Sequence, residues 1–159
     1  VVVLDFLEIV ERLKAMALPA VDRVVGVATG GIVPASLVAY QLERPLSLVL
    51  INYRAPDNTP RYPAPRLLAP APRATLAQAR PERILLVDDV SVTGKTLALA
   101  RRQFPQSQVI TFVLKGQADY VLFPEIASCV QWPWKLAHPA EAPGPIPATI
   151  EPIPRAESP

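Results

Sequence analysis

The sequence predicts an α/β protein: a mainly parallel, twisted sheet flanked by helices, with a small additional lobe formed by the chain's ends. Three observations carry this expectation. Segments of strand character alternate with segments of helical period. The strand segments RVVGVA, LSLVLIN, RILLV and VITFVL are nearly continuous in apolar residues, as parallel strands covered on both faces are. Glycine-bearing turns, ATGG at 28–31 and VTGKT at 92–96, follow two of those strands and lead into helices.

The elements follow in order. Asp5 can cap a first helix, with Glu8 three residues on, and Leu7, Val10, Leu13 and Ala17 recur at helical spacing. Arg23 to Ala28 is a short strand. Ile32 to Leu42 is a helix, with Pro34 tolerated in its first turn. Leu46 to Asn52 and Arg83 to Val87 are strands, Thr96 to Phe104 a helix, and Val109 to Leu114 another strand. Tyr120 to Leu122 and Ile126 to Val130 are shorter strand candidates. Ligands of such sheets sit beyond the carboxyl ends of the strands, the edge where both glycine turns fall.

The 20 prolines are unevenly placed. Proline removes a backbone donor and fixes φ, so a proline-dense stretch is neither regular helix nor central strand. Residues 55–81 therefore read as a long mobile loop inside a domain spanning 1–136, and residues 137–159 as an extended tail. A chain of 159 residues suits one domain with one real core. Its net charge of +2 comes without a dense Lys/Arg stripe, which argues against nucleic acid as a partner. No apolar run approaches the roughly 20 residues of a membrane span, and the first residues lack the pattern of a secretion signal. One cysteine, Cys129, excludes an intramolecular disulfide. The expected setting is the cytoplasm, away from membranes.

The stretch ILLVDDVSVTGKT ends as a Walker loop does. That loop needs a glycine five positions before the one preceding its lysine, so that successive amides wrap the phosphates. Counting back from Gly94 reaches Asp89, whose carboxylate would put negative charge into a phosphate cradle. The triphosphatase reading fails on pattern and on electrostatics. Two acids at a strand's end instead suit sugar hydroxyls as donors, or a hydrated magnesium ion. The turn after them can hold one phosphate at the start of the next helix. A phosphate, a diol and a metal together describe a phosphoribosyl group.

These residues resemble the 5-phosphoribosyl-1-pyrophosphate (PRPP) signature of the type I phosphoribosyltransferases. The resemblance implies that Asp88 and Asp89 hold the ribose hydroxyls and metal-bound substrate. It implies that Ser91, Val92, Thr93, Gly94, Lys95 and Thr96 wrap the 5′-phosphate, with Lys95 either touching that phosphate or facing solvent. VGVATGGIVPASLVAYQL is similar to the family's pyrophosphate loop and the helix behind it, which would give the pyrophosphate to Thr29, Gly30 and Gly31. FVLKGQADYV and the closing WPW resemble the 6-oxopurine, xanthine-guanine-like branch. There Lys115 would meet the exocyclic oxygen of the base, and Cys129 and Val130 would flank the ring. The proline loop lies where the family places a mobile hood; Tyr53, Arg54 and Arg61 either reach the site from it or stand in solvent.

Three positions depart from the branch. Thr29 stands where an arginine usually precedes Gly-Gly, and a hydroxyl cannot replace a bidentate cation. Val92 stands where an acid usually handles the purine proton. Cys129 falls at the stacking ring. Trp132 and Trp134 either supply that ring or pack against the sheet. The expected function is a magnesium-dependent transferase that ribosylates a purine-like nucleobase from PRPP, acting as a homo-oligomer, a dimer or tetramer. The alternative is a regulatory protein that keeps the phosphoribosyl pocket and has lost turnover.

Overall fold

The alternating segments assemble, in a computed structural model that describes residues 1–53, 59–72 and 80–135, around a six-stranded sheet. The elements are β1 (Val2–Val3), α1 (Phe6–Ala15), β2 (Arg23–Ala28), α2 (Ile32–Leu42), β3 (Leu46–Asn52), β4 (Arg66–Ala69), β5 (Arg83–Ser91), α3 (Lys95–Arg101), β6 (Gln108–Gly116), β7 (Tyr120–Val121) and β8 (Val130–Gln131). The sheet order is β4-β3-β2-β5-β6-β7, parallel throughout except for β4. β1 and β8 pair separately and in parallel, so the two ends of the described chain form the small lobe.

The central strands are covered on both faces because they are apolar on both. Leu85 and Val87 of β5 and Phe112 and Leu114 of β6 pack with Ile9 and Leu13 of α1, Ala35 and Val38 of α2, and Trp132 of the terminal lobe. Ile84, Leu86 and Val113, one step along the same strands, pack with Leu97 and Ala100 of α3 and with Phe104. This is the period-two alternation of a strand applied to two cores. From β2 the chain moves outward to β3 through α2; from β5 it moves outward the other way to β6 through α3. Right-handed crossovers in opposite directions put the two helices on opposite faces. The strand order therefore reverses between β2 and β5, and beyond their carboxyl ends is where sheets of this kind place a ligand crevice.

Local chemistry explains the boundaries. Asp5 Oδ1 accepts the Leu7 N–H at 2.6 Å and starts α1. The buried stripe of α1 is Ile9 and Leu13, whereas Leu7 is exposed, and the helix stops at Ala15, short of the expected Ala17. The boundaries expected for α2 and β3 agree with the structure. β5 runs on to Ser91, so the acid pair is the end of the strand itself. α3 covers Lys95–Arg101 and does not reach Phe104, which precedes Pro105; a residue before proline is pushed out of helical geometry.

Two expectations need correction. The stretch 55–81, read as a loop, contains β4, which pairs antiparallel with β3. As an edge strand β4 needs hydrogen bonds on one side only, so prolines around it are tolerated. The strand expected over Ile126 to Val130 is instead Val130–Gln131, paired with Val2–Val3, a segment given no element in the sequence reading. The tail 137–159 lies outside the described residues. Among the described residues no helix is long and apolar enough to cross a membrane.

At the amino-terminal edge of the sheet lies a buried ion pair. Arg23 donates to both carboxylate oxygens of Glu82 at 2.8 Å and to the Pro72 carbonyl at 2.6 Å. It fastens β2, the approach to β5 and the segment after β4 at the end of the sheet opposite the crevice.

Candidate active site at the β2–β5 crevice

β2 ends at Ala28, and Thr29, Gly30 and Gly31 turn the chain into α2; the Ala28–Thr29 peptide is cis. The Gly31 N–H bonds back to the Val27 carbonyl at 2.8 Å, which folds the turn tightly over the strand end. The next-door strand leaves the two glycines of this turn no room for side chains. A Cβ on Gly31 would lie 2.5 Å from the Val87 carbonyl oxygen, and one on Gly30 would lie 2.4 Å from Asp89 Oδ1. Glycine is required here by close approach, and the proposed pyrophosphate turn and the acid pair are in direct apposition.

Asp88 and Asp89 are each 7% exposed. Strand alternation sends them to opposite faces of the sheet end. Asp88 Oδ1 accepts the Asp89 N–H at 2.9 Å, and Asp89 Oδ1 accepts the Val90 N–H at 2.8 Å. Burial, reinforced by the neighbouring Asp89 charge, pushes the Asp88 carboxyl well above the usual carboxylate range. Asp89 Oδ2 has a cation beside it: Lys135 Nζ stands 2.9 Å away. That contact is a charge pairing without hydrogen-bond alignment, because Oδ2 remains a buried acceptor with no hydrogen-bond donor. The Ser91 hydroxyl is likewise buried without a partner. Buried polar atoms are nearly always satisfied, so orphans at a crevice mark where a ligand's donors and acceptors belong.

The turn 91–94 leaves β5 for α3. Ser91 is buried, Val92 and Thr93 are exposed, and a Cβ on Gly94 would meet open space. The first helical bond runs from Ala98 N–H to the Gly94 carbonyl at 2.9 Å, so the amides of Lys95, Thr96 and Leu97 precede the ladder. The far side of the turn is pinned by β6. Gly116, at φ +109°, approaches so closely that a Cβ would be 2.0 Å from the Ser91 carbonyl oxygen, which also accepts the Gln117 N–H at 2.8 Å. Lys115 lies abreast of Val90 in the β5–β6 register and is half-buried.

Thr29–Gly31, Asp88, Asp89, the turn from Ser91 to Thr96 and Lys115 thus share one edge of the sheet. The other expected residues stand on neighbouring elements or lie outside the described residues. Cys129 is exposed and its carbonyl accepts the Val2 N–H at 2.8 Å; Val130 is half-buried in the two-stranded lobe. Tyr53 is half-buried at the end of β3, and its carbonyl accepts the Arg61 N–H at 2.8 Å; Arg61 is exposed. Arg54 lies outside the described residues. Trp132 is 1% exposed and stacks on Trp134 with centroids 5.6 Å apart, so its ring packs in the core. Sequence reasoning missed Gly116 and Lys135. A glycine closing an apolar strand was a visible signal for the first; the second had only its place after WPW.

No group of three or more His, Cys, Asp or Glu side chains able to hold a metal ion occurs among the described residues. The acid pair nonetheless fits magnesium, which is commonly held by one or two carboxylates with substrate oxygens and water completing the shell. The Lys135 ammonium already stands by Asp89 Oδ2, so an ion would reach that oxygen only with the lysine displaced.

Comparisons with known proteins agree with this geometry. Structural likeness extends to the purine phosphoribosyltransferase from Pyrococcus horikoshii Ot3, at 22% identity and a TM-score of 0.58, covering 84% of this chain and 92% of that one. It extends to the Helicobacter pylori xanthine-guanine-hypoxanthine phosphoribosyltransferase, at 14% identity and a TM-score of 0.64, covering 85% and 94%. A hypothetical protein from Neisseria gonorrhoeae with bound ppGpp matches at 21% identity and a TM-score of 0.61, covering 84% and 88%. At these identities the likeness is one of fold. The sequence profile of the phosphoribosyl transferase domain matches residues 10–135, nearly all of the described chain, and by that match the protein belongs to the phosphoribosyl transferase domain family.

Proposed function

We propose that this protein is a magnesium-dependent phosphoribosyltransferase that transfers the phosphoribosyl group of PRPP to a purine-like nucleobase. The observation that carries the reading is Gly30 lying against Asp89: it joins a turn suited to pyrophosphate to the carboxylates suited to the ribose diol, at the point where the strand order reverses.

In this reading Asp88 and Asp89 accept hydrogen bonds from the ribose hydroxyls. The turn from Ser91 to Thr96 receives the 5′-phosphate on its amides and hydroxyls, and the backbone of Thr29–Gly31 faces the pyrophosphate. Magnesium, held by Asp88 and Asp89 directly or through water or substrate, would neutralise charge on the phosphates when bound. A nitrogen of the base forms a bond to the anomeric carbon as the bond from that carbon to pyrophosphate breaks and its electron pair leaves with the pyrophosphate. The nitrogen's proton is lost to solvent after the transfer, since Val92 offers no acceptor within the site. The carbon is oxocarbenium-like in transit, so fixed carboxylates nearby and exclusion of water both favour it. Lys115 would donate to an exocyclic oxygen of the base, Cys129 and Val130 would flank the ring, and Tyr53, Arg54 and Arg61 would close from the hood.

The test is release of pyrophosphate from PRPP and magnesium with xanthine, guanine, hypoxanthine, adenine and orotate offered in turn. Release with a 6-oxopurine supports the reading. Tight PRPP binding without release for any base would replace it with the second reading, a phosphoribosyl-binding regulatory protein. That reading draws on Val92, 62% exposed and chemically inert in the middle of the phosphate turn.

A further inference from the structure

The pyrophosphate turn has a neutral Thr29 where a cation would serve, yet a cation stands beside it. Lys135 Nζ is 2.9 Å from Asp89 Oδ2, while the other oxygen of that carboxylate faces Gly30. One carboxylate is thus in contact with both the ammonium and the turn. The lysine is not a stray surface group. The Lys135 N–H bonds to the Trp132 carbonyl at 3.0 Å, Trp132 is buried in the core, and Trp134 is held between the Trp132 face and the edge of Phe6. The packed tryptophans of the terminal lobe bring this side chain to Asp89, and it remains 45% exposed.

We infer that Lys135 is the cation of the pyrophosphate subsite: it neutralises the pyrophosphate group of PRPP and of the product, in the role the turn's Thr29 cannot fill. The inference rests on the transferase reading above. The ammonium is the counter-ion of Asp89, which would otherwise be a buried unpaired charge. Ribose hydroxyls arriving at Asp89 supply donors of their own, and the ammonium is released to the adjacent phosphate oxygens. As the bond to the anomeric carbon breaks, its electron pair adds negative charge to the departing pyrophosphate, and a cation there becomes more favourable than in the ground state. Lysine acts on it as a point charge, without the fork geometry of arginine.

The experiment is calorimetric titration, with magnesium present, of pyrophosphate, PRPP and ribose 5-phosphate into the wild type, Lys135→Met and Lys135→Arg. Lys135→Met is expected to weaken pyrophosphate and PRPP by about tenfold or more, ribose 5-phosphate by less than about threefold, and Lys135→Arg to restore most of the loss. A merely structural role would not separate the ligands that carry pyrophosphate from the one that does not. Equal or tighter pyrophosphate binding by Lys135→Met overturns the inference and leaves the lysine as a counter-ion of Asp89. Wild-type protein that binds neither PRPP nor ribose 5-phosphate overturns the transferase reading and the inference with it.

Discussion

Gly30 lies against Asp89 with no space for a side chain: a Cβ there would be 2.4 Å from Oδ1, 2.8 Å from Cγ and 3.0 Å from Oδ2. The whole carboxylate is seated on the glycine. Gly30→Ala must push that carboxylate aside, and Asp89, buried and tied to the Val90 N–H, has little freedom to move. The expected outcome is a folded protein whose affinity for PRPP with magnesium falls by about tenfold or more, equivalent to ~1.4 kcal/mol. Calorimetric affinity alongside a thermal melt separates this from general unfolding.

Asp88 supports the site at a cost to the fold. Its carboxyl is pushed up by burial and by Asp89, so the folded chain holds a proton there more firmly than the unfolded chain does. Such a group lowers stability as pH rises above the ordinary value of 3.8. Asp88→Asn is therefore expected to melt at a higher temperature than the wild type at pH 7. The gap should close as pH falls toward 3.8, where the unfolded chain protonates too. Melting curves across pH check this; a lower melting temperature for Asp88→Asn at pH 7 would contradict it. PRPP binding should fall in the same variant.

The buried pair at the other end of the sheet behaves oppositely. Arg23 and Glu82 have side-chain exposures of 8% and 12%. Glu82→Ala leaves a guanidinium buried with the Pro72 carbonyl as its main remaining acceptor. Loss of one partner from a buried pair costs about 3 to 5 kcal/mol, and the surviving bond to Pro72 points to the lower end. Denaturant unfolding measures the loss. PRPP affinity should hardly change, because the pair lies at the end of the sheet away from the crevice.

Asp22 makes a small contribution to the acid limb of stability. Its carboxylate accepts from Arg80 at 2.8 and 2.6 Å and from the Arg83 N–H at 2.7 Å, and the Arg80 bonds, first, lower its pKa from 3.8 to about 2. A depressed folded pKa contributes stability that is full above 3.8 and is lost as pH falls to about 2. Arg80 is 57% exposed, so solvent screening keeps the contribution small. Asp22→Asn should flatten the fall in stability across that window and lower neutral-pH stability by the same small amount, as read from urea midpoints at successive pH values.

Sequence alone determined the sheet's character and half of its site. β2, α2 and β3 were legible because apolar runs, a proline in a first turn and helical spacing are local signals. The acid pair was legible because two carboxylates after four apolar residues have few other uses, and Val92 and Thr29 stood out only against the pattern of the family they resemble. What only the tertiary structure decided lies where distant segments meet. Pairing of Val2–Val3 with Val130–Gln131 depends on a register that neither dipeptide encodes. β4 depends on the exposed edge of β3, which outweighs the prolines around it. Gly116 matters because Ser91 of the neighbouring strand comes within 2.0 Å of where its Cβ would be. Lys135 is an ordinary lysine after WPW until packing of the tryptophans brings its ammonium to Asp89. Periodicity and composition report how each segment meets water; the partner of a buried charge is set by which surfaces the folded chain brings into contact.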